Sequence, residues 1–286
     1  MNIAVIGTSP IILMLALKLS SNNNIKIFDT SKNIGGAWSV KKFGNNLYIP
    51  RQTNVVVPTS FKEEKKLIKL NEYLKNKYDI KIKKFNNFQF KQAYRPKNIF
   101  FYDLSLFYNK VKKKIQVKNK HIKKILIKGK KFYLGNEEFD KVLLPYFSSV
   151  NSIEKKKKKI FTNYDVSKSK HIVCVMKKKT LKKLIYEENT DIVFDRYLVN
   201  GEKNYFVGRV SREYKKKSLK SIIRRTKIKF LDEKNIKIKS TFYYEHFKRD
   251  EKQIKILEST NKNENLLIID TKQFVNSLVK FKNIYE

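Results

Sequence analysis

The start of the chain has the clearest alternation of apolar and polar segments. A short apolar run, Ile3–Ile6, is followed by Gly7 and then by an almost wholly apolar stretch, Ile11–Leu19. After a polar break comes a second apolar run, Ile25–Phe28. Short β-branched runs are typical of strands buried on both faces, and Pro10 favours a first helical position. The pattern predicts a strand, a turn, a helix and a second strand.

Further elements follow from the same periodicities. Phe61–Tyr78 has helical spacing with Leu67, Leu70 and Leu74 on its inner stripe, and Leu104–Ile115 predicts another amphipathic helix. The segment from Leu47 to Pro58 is predicted to be extended, Ile153–Lys159 to be a linker, and Ser218–Phe230 and Lys272–Phe281 to be helices. Strands are predicted at Ile122–Ile127, Lys131–Leu134, Phe139–Pro145, Ile172–Met176, Asp191–Val199, Tyr205–Val210, Ser240–Phe247 and Leu266–Ile269, with turns at Gly129 and Asn200-Gly201.

The charge is strongly basic, with a formal net charge of +39 from 65 lysines and arginines against 26 acidic residues. Such a balance ordinarily indicates a polyanionic partner. The lysines are spread along the whole chain, however, and Asn, Ile, Phe and Tyr are abundant while alanine is rare. These excesses share AT-rich codons, so we attribute the charge to genome bias and expect no specific nucleic-acid partner. A polyanion-binding module remains a third alternative.

Cysteine and histidine usage narrows the chemistry. The one cysteine, Cys174, lies in an apolar run and is expected to be a buried strand thiol in a reducing compartment. His121, His171 and His246 lack the spacing of metal ligands, so no metal site is expected. The apolar start has no basic segment before it, and no membrane span is expected. The expected location is the cytoplasm.

The turn after the first predicted strand has the features of a phosphate-binding turn. Gly7 permits the sharp bend, and the amides of Thr8, Ser9 and Ile11 can point at a pyrophosphate at the helix N-terminus. Asp29 follows Gly7 by about 20 residues, the spacing at which a carboxylate binds a ribose hydroxyl. The second and third glycines of the G-x-G-x-x-G pattern are replaced by Ser9 and Ile12, and Ile12 is expected to hold the helix farther from the sheet.

The segment from Asp29 to Trp38, with Ile34-Gly35-Gly36-Ala37-Trp38 at its end, resembles the corresponding segment of the two-dinucleotide-binding-domain flavoproteins. That superfamily includes the amine oxidases and the UDP-galactopyranose mutases. The resemblance implies that Asp29 binds the adenosine ribose, that the Gly-Gly turn passes close to the cofactor, and that the cofactor is FAD. The alternative is that Gly35 and Gly36 form only a turn and that Trp38 is a half-buried anchor.

The resemblance extends to two further positions. It implies that the segment beyond the Gly-Gly turn runs toward the flavin, where Arg51 contacts a cofactor phosphate or a substrate anion; a surface ion pair is the alternative. Near the C-terminus, Asp270 stands where the family has a Gly-Asp before a helix, but here the glycine is missing. The predicted cofactor-binding residues are Gly7, Thr8, Ser9, Pro10, Asp29, Thr30, Gly35, Gly36, Ala37, Trp38, Arg51 and Asp270.

The sequence thus predicts an α/β chain with an FAD-type Rossmann fold and an interleaved, mainly antiparallel β substrate domain. Residues 1–60, 100–152 and 262–286 are assigned to the FAD-binding domain, and residues 61–99 and 153–261 to the substrate domain, whose pocket candidates are Arg209, Arg212, Tyr243, Tyr244 and His246. The chain is predicted to be a flavin-dependent oxidoreductase that acts on a small metabolite, and an anionic metabolite is one of the candidates. The alternatives are a UDP-sugar mutase-like flavoenzyme and a non-catalytic protein that keeps the fold. No catalytic residue and no oligomeric state is predicted.

Overall fold

The computed structural model describes residues 1–31, 34–44, 47–86, 88–89, 95–146, 148–155, 158–161, 164–177, 183–248, 251–261 and 265–269. The strands are β1 (Asn2–Ile6), β2 (Asn24–Asp29), β3 (Val40–Phe43), β4 (Leu47–Pro50), β5 (Val55–Val56), β6 (Lys81–Phe85), β7 (Phe88–Gln89), β8 (Ile99–Asp103), β9 (Gln116–Asn119), β10 (Lys124–Lys128), β11 (Lys131–Leu134), β12 (Glu137–Phe139), β13 (Lys141–Pro145), β14 (Ser152–Lys155), β15 (Lys158–Phe161), β16 (Asp165–Met176), β17 (Leu184–Glu188), β18 (Phe194–Asn200), β19 (Tyr205–Val210), β20 (Ile236–Lys248) and β21 (Leu266–Ile269). The helices are α1 (Pro10–Leu19), α2 (Phe61–Tyr78), α3 (Ser105–Lys114), α4 (Leu219–Arg225) and α5 (Glu251–Asn261), with short 3-10 turns at Gly36–Trp38 and Glu233–Asn235.

The chain divides into two compact units, each built from separate segments. The first unit comprises Met1–Gly36, Leu106–Ser167 and His246–Glu286. The second comprises Ala37–Ser105 and Lys168–Glu245. Residues 37–60 and 100–105 therefore fall in the second unit, while residues 153–167 and 246–261 fall in the first. The assignment of one domain to FAD and the other to substrate stays a prediction.

The first unit is organised around a parallel sheet of five strands in the order β21-β13-β1-β2-β9. Its central strand β1 pairs in parallel with β13 on one side and with β2 on the other, with Val5 opposite Leu143 and Ile27. Ala4 and Val5 are fully buried, as expected for a strand covered on both faces. A second five-stranded sheet, in the order β12-β11-β10-β14-β15, combines one parallel pair with antiparallel pairs.

The second unit is mainly antiparallel. Its largest sheet has six strands in the order β20-β16-β19-β18-β17-β7, accompanied by the three-stranded sheet β5-β8-β6 and the β3-β4 hairpin. Strands β18 and β19 form the hairpin predicted from Asn200-Gly201. Asn200 pairs with Tyr205, so the loop has four residues, and Asn204 takes the left-handed position at φ 57°. The chain is thus a mixed α/β protein with parallel and antiparallel sheets.

The helix α2 has the predicted limits because both ends are specified locally. At its N-terminus the Ser60 hydroxyl accepts a hydrogen bond from the Glu63 amide, and the Glu63 side chain accepts one from the Thr59 amide at 2.7 Å. At its C-terminus Asp79 adopts the left-handed conformation. The predicted inner stripe of leucines is buried, as Leu67 illustrates with no exposed surface. In the part of the chain that the structure describes, no helix has the length and apolar character needed to cross a membrane.

Two predictions of local structure were wrong. The predicted linker Ile153–Lys159 instead contains β14 and the start of β15: Ile153 is fully buried, Lys155 ends β14, and Lys158 and Lys159 begin β15. The helix predicted to run to Phe230 ends at Arg225. The next residues are drawn to Asp191, whose carboxylate accepts hydrogen bonds from the Thr226 hydroxyl at 3.1 Å and from the Lys227 amide at 2.9 Å.

Candidate functional site

The turn between β1 and α1 requires a glycine because of its backbone conformation. Gly7 has φ 83°, a left-handed value that side chains with a Cβ atom rarely adopt. Space is not the reason, since a Cβ atom here would meet Pro145 Cγ at an ordinary 3.7 Å. The Gly7 amide donates to the Phe28 carbonyl at 2.7 Å and so ties the turn to β2.

The N-terminus of α1 presents unbonded polar groups. Ser9 is the extended residue before the helix and Pro10 is at its first turn. The first helical hydrogen bond runs from the Leu13 amide to the Ser9 carbonyl, so the amides of Ile11 and Ile12 precede it. The Ser9 hydroxyl oxygen is buried and has no hydrogen-bond partner in the described chain. These donors and the positive end of the helix dipole together favour the binding of an anion.

Thr8 connects the three predicted parts of the site. This residue is almost completely buried. Its hydroxyl donates to the Asp29 carboxylate and accepts a hydrogen bond from the Gly35 amide at 3.0 Å. One side chain therefore links the turn after β1, the acidic end of β2 and the Gly-Gly turn.

Asp29 lies at the end of β2 with 9% of its surface exposed. Its second carboxylate oxygen accepts a hydrogen bond from the Ser31 amide at 2.7 Å. Burial raises the pKa of Asp29 above its usual value, although the hydrogen bonds from Thr8 and Ser31 oppose part of the rise. A carboxylate offers about four lone-pair sites, so the bonds from the Thr8 hydroxyl and the Ser31 amide, with a further contact from the Thr8 amide, leave acceptor capacity for a ligand.

A cleft of about 260 Å³ lies beside this end of the parallel sheet. It lies next to Ser31, two residues beyond Asp29, and its apolar lining comes from Ile34, Ile115 and Val117. Lys112, Gln116 and Asn119 complete the lining. The cleft therefore combines an apolar surface with polar groups next to the buried carboxylate.

The Gly-Gly turn marks the boundary between the two units. Gly35 and Gly36 have φ 101° and 53°, and Gly36 begins the 3-10 turn that ends at Trp38. Ala37 and Trp38 already belong to the second unit, where the Trp38 ring packs edge-on against Tyr102 with centroids 6.0 Å apart. Among the remaining predicted cofactor residues, Thr30 is exposed and Asp270 lies outside the described residues.

Arg51 is half-buried in the second unit, directly after β4. Its guanidinium lies 4.7 Å from the centroid of the Phe242 ring, in a cation–π arrangement. Its Nε atom is buried without a hydrogen-bond partner, and no carboxylate among the described residues forms an ion pair with it. Burial lowers the pKa of Arg51, while the neighbouring Tyr244 opposes the shift. Arg51 therefore does not form the alternative, a surface ion pair, with any of the described residues.

Four polar residues form a row across one face of the six-stranded sheet. His171 of β16 pairs with Arg209 of β19, Arg209 pairs with Arg196 of β18, and Arg196 pairs with Glu188 of β17. Residues opposite one another on paired strands share a face, so the four side chains lie side by side. Tyr244 extends the row, because its ring packs edge-on against His171 with centroids 5.0 Å apart.

The five residues predicted to line a substrate pocket do not all lie at the same place. Arg209 and Tyr244 belong to the polar row, and Arg209 also pairs with Asp195 at 3.0 Å. Arg212 is exposed, and Tyr243 is exposed by 62% and lies 6.0 Å from the Lys170 ammonium. The side chain of His246 lies outside what the structure describes. His171, Arg196 and Glu188 were missed, since only strand register brings them together.

Cys174 is fully buried in β16, as predicted, and burial raises the pKa of its thiol to about 12. Within the described ranges, no three His, Cys, Asp and Glu side chains are arranged to hold a metal ion.

Comparison with known proteins gives a likeness in fold. No protein-family model matches the sequence, and no curated protein sequence matches it. Among solved structures, the CLA-producing fatty acid isomerase from P. acnes superposes with a TM-score of 0.57 at 10% identity, covering 99% of this chain and 98% of that one. Glycine oxidase from Geobacillus kaustophilus superposes with a TM-score of 0.54 at 10% identity, covering 97% of this chain and 90% of that one. At this identity the likeness establishes a fold shared with an isomerase and an oxidase.

Proposed function

We propose that the chain binds FAD through its first unit and acts as a flavin-dependent oxidoreductase on a small metabolite. In this proposal the parallel sheet with α1 is an FAD-type Rossmann fold, and the second unit carries the substrate. The fold shared with glycine oxidase and with the fatty acid isomerase supports the proposal, as does the motif resemblance of residues 29–38. Because a fold does not specify a reaction, support for this function must come from the residues of the site.

The observation that carries the proposal is the hydrogen-bonded link through Thr8. A turn, an acidic residue and a Gly-Gly pair could occur by chance at separate places in a chain. Here the Thr8 hydroxyl joins the Asp29 carboxylate and the Gly35 amide directly. The three parts thus surround one place at the carboxyl ends of β1 and β2, where ligands bind in open parallel sheets.

The residues present fit the parts of FAD that this place would hold. The buried, unpartnered Ser9 hydroxyl and the free amides at the start of α1 suit a pyrophosphate. The spare acceptor capacity of Asp29 suits the ribose hydroxyls, and the cleft lined by Ile34, Ile115 and Val117 suits the adenine. Ile12, which replaces the third glycine of the pattern, is fully buried in the core.

When bound, FAD would supply the redox chemistry, and this chain would bind and orient the reactants. The first unit would hold the adenosine diphosphate portion through the groups described. The second unit would contact substrate through Arg51 and the polar row of His171, Arg209, Arg196 and Glu188. Arg51 carries a positive charge with no ion-pair partner among the described residues, and the Tyr244 hydroxyl remains protonated at neutral pH, so this surface favours an anion.

Absorption spectroscopy tests the proposal directly. The purified protein, mixed with FAD and then freed of unbound FAD by gel filtration in about 0.5 M salt to suppress charge-driven binding, is expected to retain near-stoichiometric flavin. Bleaching of that flavin by candidate substrates without oxygen would identify the oxidoreductase activity. Failure to retain any FAD would contradict the proposal and favour the non-catalytic alternative. A spectrum perturbed by UDP-sugars would instead favour the mutase-like alternative.

The raised pKa of Asp29 predicts a pH dependence of FAD affinity. The carboxylate form accepts the ribose hydroxyls, so affinity should be full above this pKa and decrease as the pH falls through it. The raised pKa moves that decrease to a higher pH than an ordinary aspartate would give. Stability without FAD should change in the opposite direction, because protonation of Asp29 removes the cost of burying its charge. Fluorescence titration of FAD across the acidic range measures the affinity, and Asp29→Asn, which cannot titrate, should abolish the dependence.

A further inference from the structure

Arg51 is half-buried and lacks the acidic partner that a cation in such a position ordinarily has. Elsewhere in the second unit, Arg209 is neutralised by Asp195, to which its Nε and Nη2 atoms both donate. Arg51 has no such partner among the described residues, and its Nε atom is buried and unbonded. Because an unsatisfied charged donor is costly to bury, the arrangement calls for an anion that the described residues do not supply.

A second cation shares the same aromatic ring. The Lys41 ammonium lies 5.4 Å from the centroid of Phe242, against 4.7 Å for the Arg51 guanidinium. Lys41 also forms no ion pair with a described carboxylate. Two like charges at one ring repel each other, and an anion held near both would relieve that repulsion.

Tyr244 adds a neutral donor beside Arg51. Its hydroxyl oxygen is buried and forms no well-aligned hydrogen bond, although Ser39 lies close enough to affect it. Burial raises the pKa of Tyr244 to about 12, with Ser39 and Arg51 opposing the rise, so the hydroxyl keeps its proton at neutral pH. Among the described residues, the titratable groups Arg51 and His171 face it, and the nitrogen Nε2 of His171 lies 3.0 Å from the Ser169 hydroxyl.

The surroundings of the two cations are apolar. Phe242 packs on a buried cluster that includes Phe43, Val173 and Val175, and it keeps part of its surface exposed. Leu47 and Ile238 are partly buried against the same cluster. A ligand whose anionic group meets Arg51 can therefore place an apolar part against these side chains.

We propose that Arg51, Lys41 and Tyr244 bind the carboxylate of a small organic acid whose apolar portion lies on Phe242. The planar guanidinium suits a carboxylate, which it can bind with two parallel hydrogen bonds. The identification of this acid as the substrate rests on the proposed function. The carboxylate site itself does not.

Calorimetric titration with benzoate tests the site, with benzamide as the neutral probe of the same shape. In about 0.15 M salt, benzoate should bind the unmodified protein and benzamide should not. Arg51→Met should weaken benzoate binding at least about tenfold, the effect of losing one charge-assisted contact. Arg224→Met is the matched control, since Arg224 is exposed on α4, whose Ile222 and Ile223 pack in a different cluster from Phe242.

Each other outcome has a definite meaning. Equal binding of benzoate by the unmodified and Arg51→Met proteins would overturn the proposal, as would an equal loss in Arg224→Met, which would indicate unspecific attraction to a basic protein. Inorganic phosphate binding more tightly than benzoate at Arg51 would overturn the choice of carboxylate. If circular dichroism shows that Arg51→Met does not fold, Arg51→Lys takes its place. This variant keeps the charge but not the planar guanidinium, and it should weaken benzoate binding by less than the factor expected for Arg51→Met.

Titration with and without FAD separates this inference from the proposed function. Benzoate binding that depends on Arg51 in a protein that retains no FAD would support the carboxylate site and contradict the flavoenzyme proposal. Retention of FAD without any benzoate binding would overturn the carboxylate site alone.

Discussion

Asp29→Ala is expected to weaken FAD binding by about 100-fold. Two hydrogen bonds from ribose hydroxyls to a charged acceptor contribute about 1.5 kcal/mol each, and about 2.7 kcal/mol corresponds to a factor of 100. The buried position of Asp29 strengthens the expectation, because little water is available to replace the lost acceptor. The measurement is a fluorescence titration of the purified variant with FAD.

The control for this loss is Asp165→Ala, which removes the same charge from an exposed position on β16. It should leave the FAD affinity unchanged. Since Asp29→Ala also leaves the Thr8 hydroxyl and the Ser31 amide without their acceptor, its folding must be checked by circular dichroism. Asp29→Asn keeps an acceptor oxygen and should retain more structure while still losing affinity. Unchanged affinity in both Asp29 variants would remove the motif argument for FAD.

Gly208→Ala is expected to destabilise the protein by about 3 kcal/mol. A Cβ atom on Gly208 would lie 2.6 Å from Phe194 Cδ1 and 2.7 Å from Phe206 Cζ, closer than such atoms approach. Both rings are fully buried and pack edge to face with centroids 5.1 Å apart, so neither can move away without disturbing the core. Urea denaturation followed by circular dichroism measures the change in the free energy of unfolding.

A double variant distinguishes the steric cause from a loss of backbone freedom. Phe194→Leu removes ring atoms from the position that the new methyl group would occupy. In combination with Gly208→Ala it should cost less than the sum of the two single changes, because the close contacts with the Phe194 ring are relieved and only that with Phe206 Cζ remains. Strictly additive costs, or a single Gly208→Ala cost below about 1 kcal/mol, would show that the packing around Gly208 is looser than described.

Local sequence patterns predicted the elements whose signals are local. Strands β1 and β2 and helix α1 are examples. Their apolar runs, the turn at Gly7 and the proline at the start of α1 each specify local structure within a few residues. The helix α2 carries its own cap at Ser60 and a left-handed stop at Asp79, and its limits were predicted to the residue. Each of these features can be recognised without knowing any partner in space.

The errors arose where distant contacts decide the structure. The lysine-rich segment that begins at Ile153 was predicted to be a linker, yet Ser152–Lys155 forms β14 because β10 and β15 pair with it on its two sides. The helix α4 stops early because Asp191, which is distant in sequence, bonds the next residues. Strand β17 and helix α5 were not predicted at all, since neither has a marked apolar run.

The candidate site likewise has features that local sequence patterns show and features that only distant contacts decide. The turn at Gly7, the carboxylate of Asp29 and the Gly-Gly pair are visible in the sequence, but the role of the Thr8 hydroxyl between them is not, because it depends on how β1 and β2 align. The row from His171 to Glu188 depends on three strand registers. No spacing along the chain could have indicated it.

The order of the parallel sheet has a consequence for how the protein emerges from the ribosome. Leu266–Ile269 forms the edge strand β21, and its partner β13 occupies residues 141–145. While the intervening residues are being translated, β13 has an open hydrogen-bonding edge, of the kind to which other nascent chains can add a strand. Completion of this sheet must therefore wait for the synthesis of β21, and the risk of wrong strand pairing during synthesis should be greatest between the appearance of β13 and that of β21.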